Sequence, residues 1–227
     1  MKIKRKWRSL AALLALAVLT ANTFGAGEMS PAETEALIVK MREHRAKFPS
    51  LTADFTEEKI THLLNKPIVM TGSLAFEVPN HFRREVKGNN PSLMVNNGKT
   101  LWIYYPNFKE VEVYTLGGMN PLNDAIAALT AGLNFQNVGD YYRYTALRDG
   151  DGYRFVLKPK TGGLKRMLQE LTVSVSADFL IQKTEAALPK GDRVVTVYRN
   201  QKSVRVPAET FDFKPPADAH ISTPLGK

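Results

Sequence analysis

The chain has 227 residues, 44% hydrophobic and 23% charged, a balance that excludes a disordered polymer and fits one domain behind a leader. The formal charge is +9, but Lys2, Lys4, Arg5, Lys6 and Arg8 supply five of the 31 basic side chains, and without them the surplus over 22 acidic ones is four. That surplus is too small for a phosphate-binding footprint, which excludes a nucleic-acid partner, and zero cysteines exclude disulfides, thiol catalysis and acylation through cysteine.

The basic start is followed by the apolar run Leu10–Leu19 and then by small residues at Thr23, Gly25, Ala26 and Gly27. Ten apolar residues are about half of what a membrane-spanning helix needs, so residues 1–27 read as a cleaved secretory signal peptide, with an uncleaved anchor as the alternative. Residues 28–227 then form one exported domain. Ser30-Pro31-Ala32-Glu33 has the pattern of a capping box with proline in the first turn. Leu37, Ile38, Met41 and Phe48 follow at helical spacing, and Pro49 closes the helix.

Leu51, Ala53 and Phe55 begin a sheet. From Ile68 the chain alternates in two-residue steps. Ile68, Met70, Leu74, Phe76 and Val78 share one face, interrupted by Gly72, and mostly polar residues share the other. Ser92–Val95 and Thr100–Tyr105 flank Asn97-Gly98, a hairpin signal that calls for positive φ at both central residues. Pro106-Asn107 turns the chain again into Glu110–Tyr114, which makes an antiparallel meander.

A second helix is expected over Pro121–Leu133, with Asn120 as cap and Gly132 as C-terminal breaker. Leu122, Ile126, Leu129 and Leu133 share its apolar face, and the rest is largely alanine, so it should be weakly held. Strands follow at Tyr141–Thr145, Tyr153–Leu157, Leu171–Val175, Phe179–Ala187, Val194–Tyr198 and Phe211–Phe213. The fold class is therefore mainly β with helices (α+β). Its antiparallel sheet curls into an incomplete half β-barrel with an apolar concave face under helices.

Catalytic and metal signatures fail on spacing. Gly98-Lys99-Thr100 has Leu93 where a phosphate loop needs glycine, and Asp149-Gly150-Asp151-Gly152 has Tyr153 and Lys160 where a calcium loop needs oxygen ligands. His44, His62, His81 and His220 show no metal-ligand spacing, and no nucleophile elbow occurs. Glu57 and Glu58 point to opposite faces of a strand and cannot share a proton. No cofactor, metal or catalytic residue is assigned.

The order of these pieces resembles the LolA-like periplasmic outer-membrane lipoprotein carriers. The matching segments are Leu51–Glu58, Gly72–Phe76, Val78–Arg83, Asn97–Pro106 and Phe211–Pro216. The resemblance implies a periplasmic, Gram-negative-type carrier, a monomer and not an enzyme, that binds the acyl chains of lipoproteins. It implies cargo taken from an inner-membrane ABC-type complex and passed to an outer-membrane acceptor. By that reading Phe55, Met70, Leu74, Phe76, Val78, Phe82 and Val173 line the concavity. Leu122, Ile126 and Leu129 belong to a lid over Pro121–Leu133, hinged at Gly117, Gly118 and Gly132. Many such carriers have arginine before the proline that is here Pro79; this chain has Val78, which replaces a polar latch by an apolar contact. Alternatives on the same fold are a carrier of a glycolipid or pigment precursor and a periplasmic sensor of lipid or misfolded protein; a periplasmic hydrolase is least favoured.

Overall fold

The computed structural model describes residues 27–116 and 121–224, with the side chains of 121–125 and 129 outside that description. Residues 1–26 of the expected signal peptide, the Asn120 cap and the hinges at Gly117 and Gly118 therefore lie outside the described residues, as do the side chains of Leu122 and Leu129.

Helix α1 spans Pro31–Lys47 and begins with the expected capping box. The Glu33 N–H donates to Ser30 Oγ at 3.3 Å, and the Ser30 N–H donates to Glu33 Oε2 at 2.9 Å. Thr34, Leu37, Ile38 and Met41 are buried, and each fully buried aliphatic side chain contributes about 1.5–3 kcal/mol. Phe48, placed on that stripe by spacing, is instead the C-cap and is exposed, resting beside the His44 ring. Helical backbone has ended there, so the 3.6-residue period no longer aims its side chain at the core.

Twelve strands form one sheet: β1 (Ser50–Ile60), β2 (Ile68–Glu77), β3 (His81–Lys87), β4 (Ser92–Asn96), β5 (Thr100–Tyr105), β6 (Glu110–Thr115), β7 (Tyr142–Asp149), β8 (Gly152–Pro159), β9 (Glu170–Val175), β10 (Ile181–Ala187), β11 (Arg193–Ser203) and β12 (His220–Ser222). Their order is β12-β6-β5-β4-β3-β2-β1-β11-β10-β9-β8-β7. The long strands β1 and β11 sit centrally, and edges β12 and β7 do not meet, so the sheet is an open, unclosed curl. Pairing is antiparallel except at one edge, where β12 runs parallel to β6; this corrects the all-antiparallel expectation.

The β4–β5 turn also departs from the two-residue hairpin. Gly98 alone of the pair adopts positive φ, at 84°. Asn97 contributes through its side chain, with Oδ1 accepting from the Lys99 and Thr100 N–H groups at 3.0 and 2.9 Å. An Asx turn satisfies the backbone without the left-handed conformation at Asn97.

Phe211 and Phe213 form no strand. Ala208–Phe211 is a 3-10 turn, and the segment from Val206 to Phe213 lies on the face of β2–β6 opposite the one that carries Leu74 and Phe82. Phe211 and Val206 pack with Ala75, while Phe213 rests against Trp102 and Tyr104, with ring centres 6.4 and 5.7 Å apart. The shared parity of the two phenylalanines comes from anchoring on one surface rather than from strand pleat.

Helix α2 covers Pro121–Asn134. Gly132 does not break it: the helix runs on to Asn134, and a Cβ at Gly132 would meet Leu171 Cδ2 at 2.8 Å and Leu157 Cδ1 at 3.3 Å. Glycine is there for close approach to the sheet. Two further one-turn helices, α3 (Val138–Tyr141) and α4 (Gly162–Lys165), complete the α-helices among the described residues.

Candidate lipid-binding site

Strand register assigns the faces. Phe55 pairs with Gly72, which pairs with Val86; Leu74 pairs with Arg84, then Met94, then Ile103; Phe76 pairs with Phe82. Directly paired residues share a face, so these side chains line one surface. Followed through β11 and β10, the same surface carries Val173, Phe155, Leu157 and Leu171. Those four belong to the core cluster with Leu37, Ile38 and Met41 of α1 and Ala128 of α2. The concave surface thus has two halves. Over β7–β10 it is sealed by helices. Over β2–β5 Met70, Leu74, Phe76, Phe82, Met94 and Ile103 are only half-buried.

Gly72 interrupts the apolar face because the Phe55 ring occupies the space above it. A Cβ there would lie 1.9 Å from Glu85 O and 2.6 Å from Phe55 Cζ. A polar group is set into the same surface, and sequence reading missed it. Arg84 Nη2 donates to Glu57 Oε2 at 2.8 Å, and Thr196 Oγ1 donates to the same oxygen at 3.1 Å. The Arg84 guanidinium stands 4.3 Å from the centre of the Phe55 ring, a cation–π distance. Burial beside this cluster holds the Tyr198 phenol above its usual range. The signal available in sequence was parity: Glu57 shares a face with Phe55.

At one end of this half, α2 meets the turns of the sheet around a cleft of about 370 Å³. Ile126, Ala127, Thr130 and Ala131 line the helix side, with Pro79, Asn80 and Leu116 opposite. Asn134 fastens the end of α2: its Nδ2 donates to Pro79 O at 3.1 Å, and its Oδ1 accepts from the Gln136 N–H at 2.8 Å. Arg42 Nε of α1 donates to Phe135 O at 2.9 Å, a second tie just beyond the helix. Val78 itself is half-buried, and its N–H donates to Pro49 O at 2.9 Å. The polar contact to α2 therefore comes from the next residue's carbonyl.

Of the residues singled out from sequence, Phe55 is buried on the concave surface, Met70, Leu74, Phe76 and Phe82 stand half-buried along it, and Ile126 lines the cleft. Val173 has no exposed surface and lies in the floor beneath the helices. Among the described residues no group of three His, Cys, Asp or Glu side chains is placed to hold a metal ion.

The family model "Outer membrane lipoprotein carrier protein LolA" matches residues 46–214. The chain belongs to the LolA family. A relative described as an outer-membrane lipoprotein carrier protein, from Glaesserella parasuis serovar 5 (strain SH0165), is 27% identical over 95% of this chain and 96% of its own. A protein of the same description from Klebsiella pneumoniae (strain 342) is 30% identical over 75% of this chain and 79% of its own. The crystal structure of an uncharacterized conserved protein from Thermus thermophilus matches with a TM-score of 0.52 at 12% identity, covering 84% of this chain and 99% of that one. That likeness shows the fold alone.

Proposed function

We propose that this protein is a periplasmic carrier that shelters the acyl chains of lipoproteins on its concave face and moves them from inner to outer membrane. The observation that carries the reading is the divided concave surface: an apolar half, Met70 to Ile103, left only half-buried in a fold whose other half is packed shut. Burying a methylene contributes about 0.8 kcal/mol, so one 16-carbon chain represents on the order of 12 kcal/mol that free water would impose. The resting cleft is at the low end of ligand pockets, which run about 300–1,000 Å³. Cargo with two or three chains therefore requires α2 to swing from the sheet, breaking the Asn134–Pro79 bond, with Leu122, Ile126 and Leu129 on the moving part.

On this reading residues 1–27 are removed on export, residues 28–227 form the carrier domain, and the protein works as a monomer without chemistry of its own. An inner-membrane ABC-type complex loads it and an outer-membrane acceptor unloads it. Native mass spectrometry of protein taken from the periplasm tests the reading: co-purified lipoprotein or acyl lipid is expected. An empty protein that also fails to bind added acyl lipid would refute it.

A second reading, a carrier for a different amphiphile such as a glycolipid, is favoured by the Glu57–Arg84 pair. An ion pair in the wall suits a cargo with a polar group on its hydrocarbon. Depletion separates the two by which molecule accumulates at the inner membrane, lipoprotein or the other lipid.

A further inference from the structure

The strand register places five connections at one end of the sheet: residues 61–67, 88–91, 106–109, 160–169 and 188–192. Three of these carry large apolar side chains at their tips, aimed into water. Leu63 is 77% exposed and Leu64 50%, Phe108 is 77% exposed, and Met167 is 52% exposed. Isolated exposed apolar residues need no explanation, but their recurrence on separate loops at one end does.

Local structure shows that these tips are held rather than frayed. Asp192 accepts from the His62 N–H at 3.0 Å and from Thr61 Oγ1 at 3.2 Å, which ties the Leu63-Leu64 loop to the loop between β10 and β11. Around α4, Leu164 and Leu168 are buried, and this anchoring turns Lys165, Arg166 and Met167 outward together.

Charge at this end is mainly basic, with Asp140 and Asp218 on the segments that enter β7 and β12 there. The five connections contain Lys66, Lys109, Lys160, Lys165, Arg166 and Lys190 against a single acid, Asp192. Lys109 is paired with Asp218, and Asp192 is taken up by His62; the other five cations have no ion-pair partner among the described residues. At the opposite end, turns 97–99, 150–151 and 176–180 carry Lys99, Asp151 and Asp178 with Phe179 and Leu180 half-buried, and the exposed apolar residues Phe48 and Val204 are each 43% exposed, less than any of the four tips.

We propose that this end of the half-barrel docks on the surface of an anionic lipid bilayer, with Leu63, Leu64, Phe108 and Met167 entering the headgroup boundary and the surrounding lysines and Arg166 meeting lipid phosphates. Apolar tips flanked by cations are the chemistry of interfacial binding. A protein partner would be met by a central cluster in a pocket, whereas tips on separate loops match a broad, chemically uniform surface. Docking places the carrier beside the bilayers that its cargo leaves and enters, but it does not depend on the concave site.

Flotation tests it. Protein exported through its own leader, purified from the periplasm without cargo, is mixed with vesicles of phosphatidylethanolamine and phosphatidylglycerol or with phosphatidylcholine vesicles. The wild type should float with the anionic vesicles and detach as salt rises. The combined variant Leu63→Ser, Leu64→Ser, Phe108→Ser and Met167→Ser should bind about tenfold more weakly or worse. Lys165→Glu with Arg166→Glu should lose at least roughly fivefold for each removed cation. All six positions are exposed, and unchanged circular dichroism checks folding. Failure of the wild type to float, equal binding to neutral vesicles, or variants that bind as the wild type does would each overturn docking. Acyl-lipid binding is measured on the same samples: failure to float with cargo binding intact sinks docking alone, and the reverse sinks the carrier reading alone.

Discussion

Replacing Asn134 by alanine removes two hydrogen bonds, of which only one joins α2 to the wall of the sheet. Each contributes about 0.5–1.5 kcal/mol net. If α2 is a lid, losing the 3.1 Å bond to Pro79 O shifts the balance between closed and open forms by about 1 kcal/mol. That is roughly a fivefold rise in the open population. Cargo that enters only the open form should bind about fivefold more tightly, because less of its binding energy goes into opening the site. Asn134→Asp sharpens the test: its carboxylate still accepts from the Gln136 N–H but faces the Pro79 carbonyl without a donor, so the opening effect should be equal or larger. The assay is titration with a fluorescent long-chain fatty acid, alongside thermal unfolding of each variant. Both variants should bind more tightly while melting lower. Lower melting with unchanged or weaker binding would refute the lid, since the bond would then serve only the fold.

Leu74→Glu puts a carboxylate on the half-buried apolar wall; fatty-acid binding should fall at least tenfold in a protein that still shows native circular dichroism, and retained binding would move the site elsewhere. Glu57→Gln leaves the Arg84 charge without its counter-ion and should cost about 1–3 kcal/mol in denaturant unfolding, with much of this recovered when Arg84→Met is added. Gly72→Ala drives a methyl group into the Phe55 ring and a strand carbonyl, for an expected loss of about 1–3 kcal/mol or more. Burial pushes the Tyr142 phenol up to about 12 from its ordinary 10, and its hydroxyl has no hydrogen-bond partner among the described residues. The unfolded chain releases this proton from about pH 10 while the folded one keeps it, so stability should fall between pH 10 and 12. Tyr142→Phe should flatten that slope without loss at neutral pH, as read by melting temperature against pH.

Much of this molecule was legible because single surfaces impose simple periods. The capping box at Ser30 and the alternation from Ile68 to Phe76 report local backbone and one buried face, and both elements form as expected. Strand β3 was harder to read, since Arg84 points into the apolar surface between Phe82 and Val86, and charge on both parities hides a strand. The parallel pairing of β12 with β6 joins segments about a hundred residues apart, which no local pattern records. Phe211 and Phe213 show the converse error, a two-residue period produced by contact with a neighbouring surface rather than by pleat. In the site, the apolar wall was readable, whereas the Asn134 tie depends on a backbone carbonyl that has no side-chain signature.

Open sheets invite other chains to add a strand at either margin. Here each margin is hemmed by a stretch from near one end of the polypeptide. His220–Ser222 lies along β6, and at β7 Glu28 bridges to Leu147 while the Met29 N–H donates to Ala146 O at 2.8 Å. Losing Glu28 and Met29, or the final ten residues, would bare a ready template for polymerisation while leaving the bowl itself untouched.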